Sequence, residues 1–474
     1  MLTQGDLLVT TSAQHHIKTL GVRDMTLFTV SAILLLDTLA ASAAIGVSSI
    51  TWWFIFGILY LVPYAMISAE LGTTYPEQGG IYAWVRDTFG ARWSTRLTWL
   101  YWLNNIFWIS SVLVLFSGIF AQMFFPDMSL ALRLGLSIAV TWVVILITIM
   151  SLKIGKWIPN IGAVIKLLAF LALIVSGVAF AMGDGIVLAN DFSLDSFVPR
   201  FDNNIYYIPP VIYGMLGFEL MSSAAEEMKN PTRDIPKAVF WSALIVFAMY
   251  VLGTFAVLAA VPVGDIDLVE GLVDTFRVLF GESPLGVAAA MLIGTFVLFT
   301  FFSNSVTWSI GANRAAAEAA IDHELPRFFG IMHSKYGTPV GAAVTLGAAM
   351  TAILLIYGFL SGSNEDLFWK LFAASAVIYM LPYIGACLAF YRARKIDPDR
   401  PRPYRAPGGD TVAFLMTCVC TALLFMCIIL FMRDTDQEWS WITGWDWAVV
   451  IGSIASILLG EVAIYVAEHQ KKSA

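Results

Sequence analysis

Charged residues are scarce in this chain of 474 residues, at 13% of the total, whereas hydrophobic residues make up 59% and the mean hydropathy is +0.78. A soluble globular protein of this length cannot cover its surface with so few polar side chains. Cysteine is also rare, and Cys387, Cys418, Cys420 and Cys427 all lie in apolar stretches, which favours packing over disulfides. The five histidines show no metal-ligand spacing. We expect no cofactor, no metal ion and no nucleic-acid partner.

Long apolar runs dominate the rest of the chain. A membrane-spanning helix needs roughly 17–25 predominantly apolar residues, and twelve such runs predict an all-α membrane protein with twelve transmembrane helices in a lipid bilayer. The predicted spans one to twelve are 24–46, 50–71, 97–125, 129–151, 159–182, 205–228, 236–261, 285–309, 338–361, 368–392, 411–432 and 446–468. The first follows a polar stretch and does not resemble a cleaved signal peptide.

The basic residues predict the orientation of the chain. If the N-terminus is cytoplasmic, the outer loops contain few of the 27 lysines and arginines, namely Arg133, Arg200, Arg277, Lys370 and Arg433. Apart from Lys166, which lies inside a span, all the others fall on the cytoplasmic side. This bias follows the positive-inside rule. It predicts a multi-pass protein of the cell membrane with both termini in the cytoplasm.

Ionisable residues inside the predicted spans are the first candidates for function. They are Asp37, Glu70, Lys166, Glu219, Glu226 and Glu461. A charge at the bilayer centre costs about 2.5–3.5 kcal/mol on insertion scales, so a functional role is the default expectation. Glu70, Glu226 and Glu461 lie toward span ends, where a side chain can reach water, and we favour a structural role for these three. Asp37 and Glu219 are deeper.

Asp37 and Glu219 fall in spans one and six, which suggests an inverted repeat of five spans plus five. In such transporters the first helix of each repeat is broken and substrate binds against the unwound backbone. Span six contains helix breakers in "IPPVIYGMLGFEL", with Gly214 and Gly217 near its centre, although these residues are also compatible with a simple kink or close packing. The predicted division is 1–22 (cytoplasmic segment), 23–182 (first repeat), 205–392 (second repeat), 411–468 (spans eleven and twelve) and 469–474 (cytoplasmic tail).

Three motifs carry a family resemblance. They are "AELGTTYPEQGGIYAWV" (69–85), "GFELMSSAAEEMKNPTRDIPKA" (217–238) and "ANRAAAEAAIDHELPRFF" (312–329). The chain resembles the amino acid–polyamine–organocation (APC) transporters, which implies the LeuT-like fold with broken first and sixth helices. Within that superfamily it is most similar to bacterial antiporters that exchange an amino acid for its decarboxylated amine. That group includes arginine/agmatine, agmatine/putrescine and tyrosine/tyramine exchangers.

The resemblance implies roles for individual positions. The acid tied to gating and proton sensitivity corresponds to Glu219, and two tyrosines that help to close the cytoplasmic path correspond to Tyr101 and Tyr383. Aromatic residues that enclose the substrate correspond to Tyr213, where the antiporters have tryptophan, and to Trp308.

Further pocket positions carry altered chemistry. The lining serine of span ten corresponds to Ser375, and two small residues of span three are replaced by Asn104 and Asn105. A pocket asparagine of the family is replaced by Ile109. The resemblance therefore implies a retained pocket shape with a different set of polar contacts.

The clearest departure from the family lies in span one. The family has Gly-Ser-Gly at the break, where exposed N–H groups bind the substrate carboxylate, whereas this chain has Leu35, Leu36 and Asp37. An anion at this position would repel a carboxylate in a low-dielectric site and attract an ammonium, with aromatic faces adding cation–π attraction. With Thr38 and Gly217 beside the two breaks, this predicts a site for a cationic amine whose counter-ion is Asp37 or Glu219. Alternatively, Asp37 caps a helix end, pairs with another protein group, or binds the ammonium of an amino acid.

Lys166 is the remaining buried charge. The resemblance implies that its ammonium occupies the region where sodium-coupled relatives bind a cation. There it would hold span one in place or exchange a proton; the alternative is a structural lysine paired with carbonyls. Either role argues against sodium coupling.

The sequence as a whole predicts a secondary active transporter that exchanges an amine or amino acid by alternating access. A proton-coupled amino-acid importer is the main alternative. An intramembrane enzyme is a remote one, because no nucleophile–base pair or metal-ligand cluster lies at membrane depth. A channel is disfavoured because broken helices and aromatic gates suit occlusion. A homodimer is one assembly compatible with the family.

Overall fold

The computed structural model describes residues 20–76, 80–150, 157–183, 185–200, 203–223, 228–435 and 443–472. Within these residues, ten helices are long and apolar enough to cross a membrane, and one bent helix pair adds an eleventh candidate. Spans one to five comprise Val22–Ile33 with Asp37–Ala43, Ser48–Thr74, Ala91–Phe124, Leu130–Met150 and Trp157–Ala181. The predicted span six corresponds to two short helices, Pro209–Tyr213 and Leu220–Ser223, which are not among these eleven candidates. Spans seven to twelve comprise Pro231–Ala260, Pro284–Ile321, Val340–Leu360, Asn364–Ile396, Gly409–Phe431 and Trp447–Lys472. The all-α, multi-pass membrane fold predicted from the sequence is confirmed.

Shorter helices lie between the spans. They are the α-helices Ile81–Phe89 and Gly271–Phe280 and the 3₁₀ turns Leu194–Phe197, Asn203–Tyr207, Val263–Asp265 and Arg327–Gly330. Residues 1–19 of the predicted cytoplasmic N-terminal segment lie outside the described residues, and so does Glu226.

Both predicted breaks are present. The two helices of span one meet at 62° around Leu34–Leu36. Span six has two helical pieces joined by non-helical residues 214–219. Gly217 in that segment has a φ of +115°, a region that side chains with a Cβ rarely adopt. An added Cβ would also meet the Ile33 side chain at 2.8 Å, so two constraints favour glycine.

Spans three and ten form the centre of the molecule. The most apolar windows of both helices are 83% buried inside the protein, and the two helices pack against each other along their length. Span three has 34 residues, which at a rise of 1.5 Å gives about 51 Å, more than the roughly 30 Å hydrocarbon core. A length of this kind is accommodated by tilt. Polar side chains within these two windows therefore mostly face protein.

Span eight shows the largest boundary difference from the sequence prediction. Its predicted range was 285–309, whereas the helix continues to Ile321. The additional turns carry Asn313, which is buried, and charged Arg314 and Glu318. Hydropathy ended the predicted span where the apolar run ends, whereas the helix continues with Arg314 and Glu318 exposed and Asn313 buried on its packed face.

The structural role expected for Glu70 agrees with its contacts, but the expected access to water was wrong. Its carboxylate does not reach water, because the side chain is 2% exposed and pairs with Arg394, which is equally buried. Arg394 Nε and Nη2 lie 2.9 and 2.5 Å from the two carboxylate oxygens, and the Ala406 backbone N–H donates to Oε2 at 2.7 Å. Arg402 lies 3.5 Å from Oε1. This network joins span two to span ten and to the connection that follows it.

Candidate functional site

Asp37 begins the second helix of span one. Its side chain is 3% exposed, and Oδ2 accepts a hydrogen bond from Trp108 Nε1–H of span three at 3.2 Å. Oδ1 is buried and has no hydrogen-bond partner among the described residues. The positive end of the helix dipole favours a carboxylate at a helix start, so part of its stabilisation is structural.

Side chains from distant spans satisfy the backbone at the span-one break. The Tyr250 hydroxyl of span seven donates to Ile33 O at 3.0 Å and accepts from Leu35 N–H at 2.9 Å. Thr38 Oγ1 donates to Leu35 O at 3.0 Å, and Lys166 Nζ donates to Ser31 O at 2.8 Å. Broken helices at membrane depth require such partners. Lys166 thus holds span one through a backbone carbonyl, a contact that fits both the tethering role and the structural alternative.

Glu219 is the last non-helical residue of the break in span six and is 4% exposed. Its Oε1 accepts from the Tyr383 hydroxyl of span ten at 2.6 Å, and the Tyr379 hydroxyl lies 2.7 Å from that of Tyr383. Because Tyr383 has one hydroxyl proton and gives it to Glu219, Tyr379 is the donor in the second bond. Oε2 has no partner among the described side chains and backbone. The predicted pair Glu219–Tyr383 is therefore in direct contact.

Aromatic rings connect the two acids. The Trp108 and Trp308 ring centroids are 5.5 Å apart, and Trp308 lies 6.2 Å from Tyr101. Tyr101 is in turn 5.7 Å from Tyr379, which also lies 5.8 Å from Tyr213. We call these five rings the aromatic chain. Contacts of 4.5–7 Å are normal for interacting rings, so the chain is continuous from Trp108, which contacts Asp37, to Tyr379, which contacts Tyr383, the partner of Glu219.

The predicted asparagines differ in their contacts. Asn104 Oδ1 accepts from Ser375 Oγ at 2.7 Å, which links spans three and ten. Asn105 Nδ2 instead donates to Tyr101 O of its own helix at 2.8 Å. Gly217 packs against Ile33 of span one. The structure therefore brings Asn104 and Ser375 together and places Asn105 in a bond within its own helix.

Three residues of this region were missed from the sequence. Trp108 follows Asn104 by four positions, and Tyr379 lies four positions from both Ser375 and Tyr383. Residues four apart share one face of a helix, so this spacing was a usable signal for both. Tyr250 stands among apolar residues of span seven and had no such signal.

Comparison with known protein families identifies the chain. A family model described as "Amino acid permease" matches residues 20–459. The "Probable agmatine/putrescine antiporter" of Lactococcus lactis is 34% identical over 90% of this chain and 91% of its own. An uncharacterized transporter of Legionella pneumophila is 31% identical over 85% and 87%. A polyamine transporter of Oryza sativa is 26% identical over 82% and 69%.

These matches confirm the resemblance drawn from the three motifs, and they confirm a transporter rather than an enzyme. The chain belongs to the amino acid permease family of the APC superfamily.

Proposed function

We propose that this protein is an antiporter that exchanges a cationic amine, or an amino acid and its amine, across the cell membrane by alternating access. The observation that carries the proposal is the buried Asp37 carboxylate, which has a free oxygen at the break of span one. An ammonium at Oδ1 would satisfy this oxygen, whereas a substrate carboxylate would be repelled. The printed names of the relatives from Lactococcus lactis and Oryza sativa, which refer to agmatine, putrescine and polyamines, support the same substrate class.

Within this proposal, residues 23–182 and 205–392 are the inverted repeats and 411–468 adds two spans. Both termini face the cytoplasm, and cysteine labelling of intact cells would test this orientation. Cross-linking in membranes would test the homodimer.

Counterflow into liposomes tests the function. Protein in liposomes loaded with agmatine or putrescine should take up the labelled amine, and empty liposomes should not. Competition by putrescine, agmatine, tyramine and neutral and acidic amino acids should rank the cations first. Uptake into empty liposomes that is driven by a proton gradient and inhibited best by neutral amino acids would instead establish the proton-coupled importer.

Glu219, Tyr383 and Tyr101 are proposed to couple substrate occupancy to the cytoplasmic gate. The contact between Glu219 and Tyr383 joins span six to span ten, and Tyr101 reaches the same cluster through Tyr379. Alternating access requires these elements to move relative to each other. A change in the charge of Glu219 alters the strength of its bond with Tyr383.

Replacing Glu219 with glutamine should flatten the pH dependence of transport, because the amide keeps the shape and an acceptor for Tyr383 but cannot titrate. Initial exchange rates across a pH series in liposomes would measure this effect. An unaltered thermal melting temperature would serve as the folding control. If the variant keeps the wild-type pH profile, Glu219 is not the titrating group.

Tyr213 and Trp308 are expected to contact the substrate from opposite sides. Alanine at either position should weaken amine binding by about 0.5–2 kcal/mol if the contact is cation–π, and phenylalanine should retain more affinity. Competition binding gives the amine affinities of the alanine and the phenylalanine variant at each position. Equal losses for alanine and phenylalanine at both positions would contradict the cation–π contact.

A further inference from the structure

The two oxygens of the Asp37 carboxylate have different surroundings. Trp108 Nε1–H donates to Oδ2 at 3.2 Å, whereas Oδ1 has no hydrogen-bond partner within the described ranges. The backbone N–H groups of Asp37 and Thr38 also interact with the carboxylate, as expected at the start of a helix, but neither makes an aligned hydrogen bond to Oδ1. The two oxygens are therefore not equivalent, because Oδ2 is engaged by a side chain and Oδ1 is not.

Packing holds the indole of Trp108 in this orientation. Its side chain is 3% exposed, and its ring meets that of Trp308 at a centroid distance of 5.5 Å and an interplanar angle of 64°. Buried rings in such edge contacts are closely packed and have little room to turn. A ligand that required Oδ2 would have to displace a packed tryptophan.

The chemistry of a cation decides how well this arrangement binds it. A guanidinium has five N–H donors in a planar fork, and it pairs most strongly with a carboxylate when two parallel N–H groups meet both oxygens. An ammonium is a compact charge with three donors and does not depend on a fork. With Oδ2 engaged by Trp108, a guanidinium at Asp37 would lose its second bond. It would also leave further donors unpaired in a buried site, which is destabilising.

We propose that Trp108 is a specificity-determining residue, which makes the Asp37 site select a primary ammonium over a guanidinium. The indole N–H occupies Oδ2, so the site presents one acceptor oxygen to the substrate. A substrate that carries both groups, such as agmatine, then binds Asp37 through its ammonium end. This proposal rests on the proposed amine exchange and names the cationic group that the site binds. Trp108 acts through Asp37 and does not need to contact the substrate.

The test compares butylamine with butylguanidine, which have the same carbon chain and one cationic group each. Displacement of labelled putrescine from the full-length protein in liposomes gives both affinities. Wild type should favour butylamine about tenfold, the equivalent of one hydrogen bond. Trp108→Phe keeps a ring against Trp308 but removes the donor, so Oδ2 becomes free for a second guanidinium N–H. Butylguanidine should then bind more tightly than it binds wild type, and the preference should disappear or reverse.

Two further variants separate this effect from a loss of packing. Trp102→Phe is the matched control on the same helix, because Trp102 is 2% exposed and its Nε1–H has no acceptor among the described residues. Its ratio of affinities should equal that of wild type. Asp37→Asn combined with Trp108→Phe should abolish the gain in butylguanidine affinity, since the gain requires the carboxylate. A gain that persists would place the guanidinium elsewhere and overturn the proposal.

Wild type alone provides a second measurement, which does not depend on the folding of Trp108→Phe. Agmatine and 1,4-diguanidinobutane differ at one end, where an ammonium is replaced by a guanidinium, and agmatine should bind about tenfold more tightly. Equal or reversed affinities for this pair, or an unaltered ratio of butylamine to butylguanidine affinity in Trp108→Phe, would contradict selection by Trp108. Failure of wild type to bind any of these amines would instead contradict the proposed amine exchange.

Discussion

Replacing Asp37 with asparagine should lower the affinity for an amine substrate ten- to a hundredfold. A hydrogen bond between charged groups in a desolvated site contributes roughly 1.5–3 kcal/mol, and asparagine removes the charge while nearly preserving volume. The amide oxygen can still accept from Trp108 Nε1–H, which now donates to Asp37 Oδ2. Folding and membrane insertion should therefore survive. Affinity for a substrate recognised through its carboxylate should fall less, or rise, because the repelling anion is gone.

Exchange of radiolabelled amine and amino acid by both proteins, at matched reconstitution, measures this effect. Asp274→Asn is a matched control, because Asp274 is partly exposed and contacts Gln122 and Arg277 far along the chain from the breaks. It should leave the amine affinity unaltered. Unaltered amine transport by Asp37→Asn, or an equal loss of both substrates together with thermal stability, would make Asp37 structural and remove the main support for an amine substrate.

The sequence was sufficient to predict the membrane spans and the break in span six. Hydropathy identifies a run of apolar residues whatever the run packs against, so the spans are visible in the sequence. The break in span six is visible because Gly217 adopts a backbone conformation that favours glycine. Span one carries no such local signal, since the residues of its break are leucines. The break is stabilised by Tyr250 and Lys166 from other spans, and contacts of this kind cannot be read from local composition.

The spacing of residues along span three indicates which of them share a helix face, but not which contacts they make. Tyr101, Asn104 and Trp108 share a face of span three by their spacing, yet only the structure shows that Trp108 meets Asp37. The role of Trp108 depends on a carboxylate in another span.

Glu70 illustrates a different error, in which a position near the end of a span was taken to mean access to water. Its position near a span end allowed the side chain to reach water, and nothing local predicted a partner more than three hundred positions away. Arg394 and the connection after span ten enclose the carboxylate instead. Position along a span therefore decides how far a side chain lies from water only if no other segment covers it.

Glu70→Gln should destabilise the protein by about 3–5 kcal/mol, because removing one partner of a buried ion pair leaves the other charge uncompensated. Arg394 is 2% exposed and would remain charged next to a neutral amide. The Ala406 N–H and Arg402 would also lose the carboxylate that they now contact. Unfolding in mixed detergent, followed by near-ultraviolet circular dichroism, would measure the loss of stability.

A double-mutant cycle would show whether the ion pair is the cause. Glu70→Gln with Arg394→Met removes both charges, so the double variant should be more stable than the sum of the single losses predicts, since a buried pair replaced as a unit costs less than a broken one. The same cycle at Arg96 and Glu461, whose side chains are 27% and 42% exposed, should give a coupling below about 1 kcal/mol. Equal coupling at the two pairs would contradict the importance of burial. A stable Glu70→Gln variant would show that the network joining spans two and ten does not depend on the charge of Glu70.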